Sequence, residues 1–254
     1  MMDVDAMLSW GQTWLAGLTW QAVASTWFWS GLTIMVYLLA VAVYRRSGGH
    51  ALAIPVLTGG AVMVAVLVLS GTAYQDYAQS VALLKWMLVP ALLLLAVPMR
   101  QQLQRLRAVW LPLTVAVLAG SATAIASTMG IALLLGVDET TLISMLPKSA
   151  TMPIAIQGAQ ALGGAGGIVA LNVVATGVLG AMMVPLLLRM LRVEDEVVRA
   201  ATSGLVAHAI GTAREMQDGP TAGAFAALAM SMTGLCTAIM LPIAVWLMRC
   251  FMAG

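Results

Sequence analysis

The sequence predicts an all-α fold, a polytopic helical membrane protein with about seven to eight apolar segments, some of them broken or re-entrant. Three observations predict it. The chain of 254 residues is 61% hydrophobic and 9% charged, whereas a soluble domain carries about 25% charged residues. Several apolar runs reach the roughly 20 residues that cross a bilayer as a helix. The short alternating segments of a membrane barrel are absent. The net charge of +2 arises from cations in short loops and gives no reason to expect a nucleic-acid partner.

Residues 1–20 hold Trp10, Trp14 and Trp20 among small and polar residues. Trp favours the headgroup level, so this stretch reads as an N-terminal interfacial segment. Asp3 and Asp5 stand where a cleavable signal would carry cations. The membrane domain then covers 21–254. Its first span runs from about Gln21 to Tyr44, followed by Arg45, Arg46 and His50. The second run, Ala51–Ser70, ends at Gly71, and Tyr74-Gln75-Asp76-Tyr77 reads as a polar turn. The third, Val81–Met99, contains Lys85, Pro90 and Pro98, and Arg100, Arg105 and Arg107 follow. The fourth, Val109–Leu135, is rich in small residues that let helices approach closely, and it ends at Asp138-Glu139.

The fifth run, Leu142–Leu162, is interrupted by Leu146-Pro147-Lys148-Ser149-Ala150-Thr151-Met152-Pro153. Each proline removes a helical hydrogen bond and pushes its predecessor out of helical angles. A lysine at mid-bilayer costs roughly 2.5–3.5 kcal/mol on insertion scales, so Lys148 should face protein, water or a ligand. A glycine-rich connector, 163–167, precedes the sixth run, Ile168–Leu188, with Asn172. A charged loop with Arg189, Arg192 and Arg199 follows. Residues 200–218 are weakly apolar and carry His208, Arg214 and Glu215. Ala222–Met248 closes the domain before Arg249.

Cations in short loops mark the cytoplasmic side. Arg45/Arg46 and Arg100/Arg105/Arg107 then lie inside, and the N-terminus and the Asp138-Glu139 turn outside. A full crossing by 142–162 would put Arg189 and Arg192 outside, against the rule. A re-entrant element there restores it. For 200–218 both paths stay open: crossing puts Arg249 inside, re-entry puts it outside. A shift of 114 residues places Gly120, Thr123, Ala124 and Ile125 on Gly234, Thr237, Ala238 and Ile239. That pattern suggests an inverted repeat with halves 21–136 and 137–254, a design in which interrupted helices form a transporter's site.

Two stretches could carry chemistry. After Pro153 a half-helix can begin, whose free N–H groups and positive dipole end suit an anion. Lys148 adds a charge, and Ser149 and Thr151 add hydroxyl donors. The alternative is a kinked structural helix whose lysine pairs with an acid or snorkels. At helical spacing Gly204, His208 and Thr212 share one face, which Gly211 and Glu215 extend. There His208 could bind an anion or carry a proton, and Arg214 could clamp a carboxylate. The alternatives are a backbone bond for His208 and an Arg214–Asp218 pair. Asn172 could bond across helices or touch substrate. Cys236 and Cys250 lack the spacing of a metal or redox pair. No nucleotide loop, zinc pattern or catalytic triad is present, so neither enzyme activity nor a cofactor is expected.

The stretch from Leu146 to Ala155, the stretch Ala207-His208-Ala209-Ile210-Gly211-Thr212-Ala213-Arg214, Tyr74–Tyr77 and Ala96-Val97-Pro98 together resemble the LrgB/CidB family. That family includes the LrgB-like half of the plastidial glycolate/glycerate translocator. The chain departs from its pattern at Ala150 and Met152, which leaves Ser149 and Thr151 as the hydroxyls there. The resemblance implies two rival functions. One is transport of small monocarboxylates of the glycolate, glycerate or pyruvate class. The other is a holin/antiholin-like regulator of murein hydrolase activity and cell lysis. It also implies a multi-pass protein of the inner (cytoplasmic) membrane with a separate LrgA/CidA-type partner, and a homo-oligomer is expected. On the transport reading the substrate, a small organic anion, would meet Lys148, Ser149, Thr151, Pro153, Asn172, His208, Gly211, Thr212 and Arg214.

Overall fold

A computed structural model describes residues 20–48, 53–94, 100 and 102–252. The N-terminal Trp-rich segment, His50 and Ala96-Val97-Pro98 lie outside the described residues. Among the described residues every regular element is helical, and the chain divides into two compact units, Met1–Leu94 and Leu95–Gly254.

In the first unit α1 (Trp20–Arg46) packs against α2 (Pro55–Ser70), α3 (Tyr74–Ser80) and α4 (Ala82–Leu94). Pro55 opens α2, where its missing N–H costs nothing, and Gly71 closes it in the left-handed conformation at φ 65°. The chain then bends by 118° into α3. The tyrosine-rich stretch is therefore helical, and it docks on α1. The Tyr77 hydroxyl meets Thr33 Oγ1 at 3.0 Å, Ser80 meets Ser25 at 2.8 Å, and Tyr77 stacks edge-on against Trp29. Gly59 of α2 faces Ala40 of α1, where a Cβ would stand at an ordinary contact distance of 3.6 Å.

The second unit holds α5 (Leu103–Leu134), α6 (Glu139–Met145), α7 (Met152–Ala161), α8 (Gly166–Met190), α9 (Glu196–Asp218) and α10 (Pro220–Met252). Helices α5, α8 and α10, together with α1, are long and apolar enough to cross a membrane. The bent pair α2–α3 passes only if taken as one span. Among the described residues there are thus four such helices, or five with the bent pair, so the expected count of seven to eight apolar segments is not confirmed.

The run 142–162 does not form one continuous helix. Asp138 caps α6 by accepting from the Thr141 N–H at 3.0 Å. The helix stops before Pro147, and α7 starts after Thr151 with Pro153 in its first turn. The chain also turns back. Arg249, near the end of α10, donates to Glu139 Oε1 at 2.8 Å and to the Leu162 carbonyl at 3.1 Å. One guanidinium therefore joins the start of α6 to the end of α7. The Ala165 N–H donates to Ser144 Oγ at 2.7 Å, which ties the exit of the hairpin to its entry. Leu142, Ile143, Leu146, Ala150, Ala155 and Ala159 pack it against α8 and α10.

The other exception is α9. His208 sits at φ 39°, ψ −125°, a conformation costly for a residue with a Cβ. The helix folds back there. Ser203 Oγ donates to Glu215 Oε1 at 2.7 Å, whereas twelve residues of continuous helix would separate these positions by about 18 Å. Glycine is required inside the fold, because a Cβ on Gly211 would run into the Ser203 carbonyl. Gly204 gives the first arm a close approach to the Ala226 carbonyl of α10.

Leu106 of α5, Ala200 of α9, and Ala222 and Phe225 of α10 form one cluster at the end of this unit opposite Arg249. Helices α5 and α10 therefore run parallel, α8 runs the other way, and the two folded segments enter from opposite ends. Arg249 lies at the same end of this unit as Glu139.

Candidate functional site

Both hairpins reach α8 around Val173. Val173 of α8 packs in the cluster that contains Ala150 at the first tip. Its carbonyl accepts from His208 Nε2 at 3.0 Å at the second tip. The carbonyl can only accept, so Nε2 carries the proton. Gly177, one turn on, makes room for the imidazole, which a Cβ there would strike.

At the first tip Lys148 is half-buried. Its ammonium has neither an acid nor a hydrogen-bond partner among the described residues. Ser149 is buried, 8% exposed. Thr151 is the N-cap of α7, yet its side chain makes no capping bond. The first turn of α7 thus leaves its backbone N–H groups free for another acceptor, and its dipole adds partial positive charge. Pro153 is exposed on that turn. This tip gathers one ammonium, two uncommitted hydroxyls and a helix N-terminus, a set suited to a small anion.

The second tip is more committed to the fold. Arg214 donates to the Ala181 carbonyl of α8 at 2.8 Å, and Thr212 donates to Met230 Sδ at 3.6 Å. Arg214 does not pair with Asp218. The expected common face of Gly204, His208 and Thr212 does not form, because the helix breaks at His208 and the two arms turn against each other. Asn172 donates to the Ile168 carbonyl of its own helix at 3.1 Å and does not bond across helices. Sequence reasoning passed over the Ser203–Glu215 bond. Its only trace is a buried-length pairing of two polar residues that a continuous helix keeps apart.

A groove of about 550 Å³ lies between α5 and the first arm of α9, walled by Pro112, Leu113, Val198 and Leu205 among others. It is largely apolar, and none of the candidate anion-binding residues lines it. Among the described residues no three metal-ligating side chains gather.

These features define a multi-pass helical membrane protein whose second unit carries two folded-back segments. The model of the LrgB-like family matches residues 33–247, and the chain belongs to that family. It is 32% identical to the uncharacterized protein YxaC of Bacillus subtilis, over 85% of this chain and 94% of the relative. It is 25% identical to the antiholin-like protein LrgB of the same organism, over 89% and 98%. It is 26% identical to the holin-like protein CidB of Staphylococcus epidermidis, over 85% and 94%. No solved structure matches.

Proposed function

We propose that this chain acts at the cytoplasmic membrane as a holin/antiholin-like regulator of murein hydrolase activity and lysis, and that its molecular act is to carry a small monocarboxylate. The names of the relatives favour the first half. No relative named above speaks for a substrate. The second half is supported by one observation above all: Lys148 stands without a partner among the described residues, beside the uncapped first turn of α7. A pore that only leaks needs helices that associate. It does not need a lone ammonium at a helix break.

On this reading Lys148 and the N-terminus of α7 hold the carboxylate, with Ser149 and Thr151 as neighbouring donors. Asn172 lies next to the Val173 carbonyl that anchors His208. His208, Gly211, Thr212 and Arg214 keep the second hairpin in place against α8 and α10. Both hairpins re-enter, the first from outside and the second from the cytoplasm. That keeps Arg189, Arg192 and Arg199 inside, in accord with the charge rule. A separate LrgA/CidA-type protein and further copies of the chain are the expected partners.

The test is reconstitution in liposomes with labelled glycolate or pyruvate, beside release of a trapped dye. Saturable uptake that Lys148→Ala abolishes, without dye release, supports the carrier. Dye leakage insensitive to solute size, without saturable uptake, supports a pore-type lysis function and removes the carrier.

A further inference from the structure

The apolar groove of the second unit is walled by two helical faces. Val109, Pro112, Leu113 and Ala116 recur at the spacing of one face of α5, and Val198, Ala201, Thr202 and Leu205 at that of one face of the first arm of α9. Thr202 donates its hydroxyl to the Val198 carbonyl of its own helix at 2.7 Å, so neither face asks for a polar occupant. Faces of this length extend roughly 10–12 Å along a helix axis. One leaflet of hydrocarbon, half the bilayer core, is about 15 Å deep. The groove thus has the depth of a leaflet, and its volume of about 550 Å³ falls in the range of ligand sites.

One end of it is charged. A second cavity of about 380 Å³ shares Val109, Asp195 and Val197 with the groove and adds Arg105 and Glu196. All three charged side chains are exposed. They line one small cavity, yet neither acid pairs with Arg105. Among the described residues the one ion pair is that of Arg249 with Glu139. Asp195 uses a single carboxylate oxygen to cap α9, accepting from the Val198 N–H at 2.9 Å, and its other oxygen has no partner among the described residues. Opposite charges set around one cavity without closing on each other suit a ligand that carries both signs.

We propose that the groove and its charged mouth bind a phospholipid with a primary-amine headgroup, a phosphatidylethanolamine of the leaflet at this end. One acyl chain lies between α5 and the first arm of α9. Arg105 meets the phosphate. Asp195 and Glu196 accept from the ammonium, whose three N–H groups can serve both. A choline headgroup carries the same charges but has no N–H to donate. A glycerol headgroup brings a phosphate without a cation and faces two carboxylates.

The full chain, purified in detergent and stripped of lipid, tests this. It is titrated with phosphatidylethanolamine, phosphatidylcholine and phosphatidylglycerol of identical acyl chains, and bound lipid is counted by native mass spectrometry. The ethanolamine lipid should bind about two- to fivefold more tightly than the choline lipid, the worth of one exposed ion pair, with the glycerol lipid weakest. It should also raise the thermal midpoint most, since a ligand stabilises by mass action. Asp195→Asn with Glu196→Gln should bring the ethanolamine-to-choline ratio to about one, and Asn keeps the cap of α9. Ala116→Phe, at an exposed position on the groove wall, should weaken all three lipids. Equal affinity for the three headgroups, or an ethanolamine preference that survives the double variant, overturns the inference. So does an Ala116→Phe chain that keeps its lipid but changes its oligomeric mass, because a second copy then fills the groove. If Ala116→Phe does not fold, the headgroup comparison decides alone.

Discussion

Gly211→Ala tests the fold-back of α9 by the sign of its effect. In a continuous helix Ser203 and Gly211 would lie about 12 Å apart along the axis. A methyl at 211 would then gain roughly 0.5–1 kcal/mol from the lower flexibility of Ala. In the folded-back segment the methyl meets the Ser203 carbonyl and would lie 2.8 Å from Ala207 Cβ. Neither atom is the free end of a flexible side chain, so the arms must part. Overpacking of this kind costs about 1–3 kcal/mol. Set against the flexibility gain, a net loss of about 1–2 kcal/mol is expected. For a chain of this size that lowers the thermal midpoint by about 2–8 °C. Gly130→Ala in α5 is the control, since nothing lies within 4 Å of a Cβ there. It should leave the midpoint unchanged or raise it. Thermal unfolding of both variants in detergent decides the matter. If Gly211→Ala rises together with Gly130→Ala, the segment is a continuous helix and the reasoning fails.

Other predictions follow from single contacts. Ser203→Ala leaves the Glu215 carboxylate, 8% exposed, without its donor, and should destabilise by about 1–3 kcal/mol in detergent unfolding; an unchanged midpoint would deny that the bond forms. Glu139→Cys with Arg249→Cys, in a chain whose Cys236 and Cys250 are replaced by serine, should be joined by a bifunctional thiol reagent as long as the two side chains it replaces. Failure to do so would separate the ends that Arg249 joins. Arg249→Ala alone should cost under about 1 kcal/mol, because the ion pair with Glu139 is exposed on both sides. The Thr141 backbone N–H lowers the pKa of Asp138 below its usual value of 3.8. Its capping contribution is therefore complete above that value and lost as pH falls through the lower folded value. Asp138→Asn keeps the acceptor, so between pH 5 and acid conditions of about pH 3 the unaltered chain should lose midpoint faster than the variant.

The first hairpin was legible because its break is written in residue types that oppose a helix. Pro147 and Pro153 interrupt the backbone bonds, and the cations Arg189 and Arg192 demand a return to the same side. The second was not. No proline marks the bend, and the residue at the bend is His208, which local preference would leave helical. Gly204 and Gly211 stand at a spacing that fits a helical face, so periodicity argued for continuity. What fixes the bend is remote in sequence: the Val173 carbonyl that takes the imidazole proton and the gap left by Gly177. The same holds for the buried hydroxyls of Ser121 and Thr233, which have no hydrogen-bond partner among the described residues. A serine or threonine in an apolar run reads as self-satisfied, and only packed neighbours reveal otherwise. The apolar runs were legible as membrane-embedded, but their number exceeds the helices long enough to cross among the described residues, because hydropathy counts segments and not turns.

The two folded-back segments have a parity consequence for topology mapping. On the proposed re-entry, each adds no crossing where an apolar run would add one. Miscounting both therefore cancels, and α10 ends on the same side under either count. A reporter fused near Arg249 cannot tell the two arrangements apart. One inserted between Leu191 and Glu194 can, because only the chain between the two hairpins changes sides.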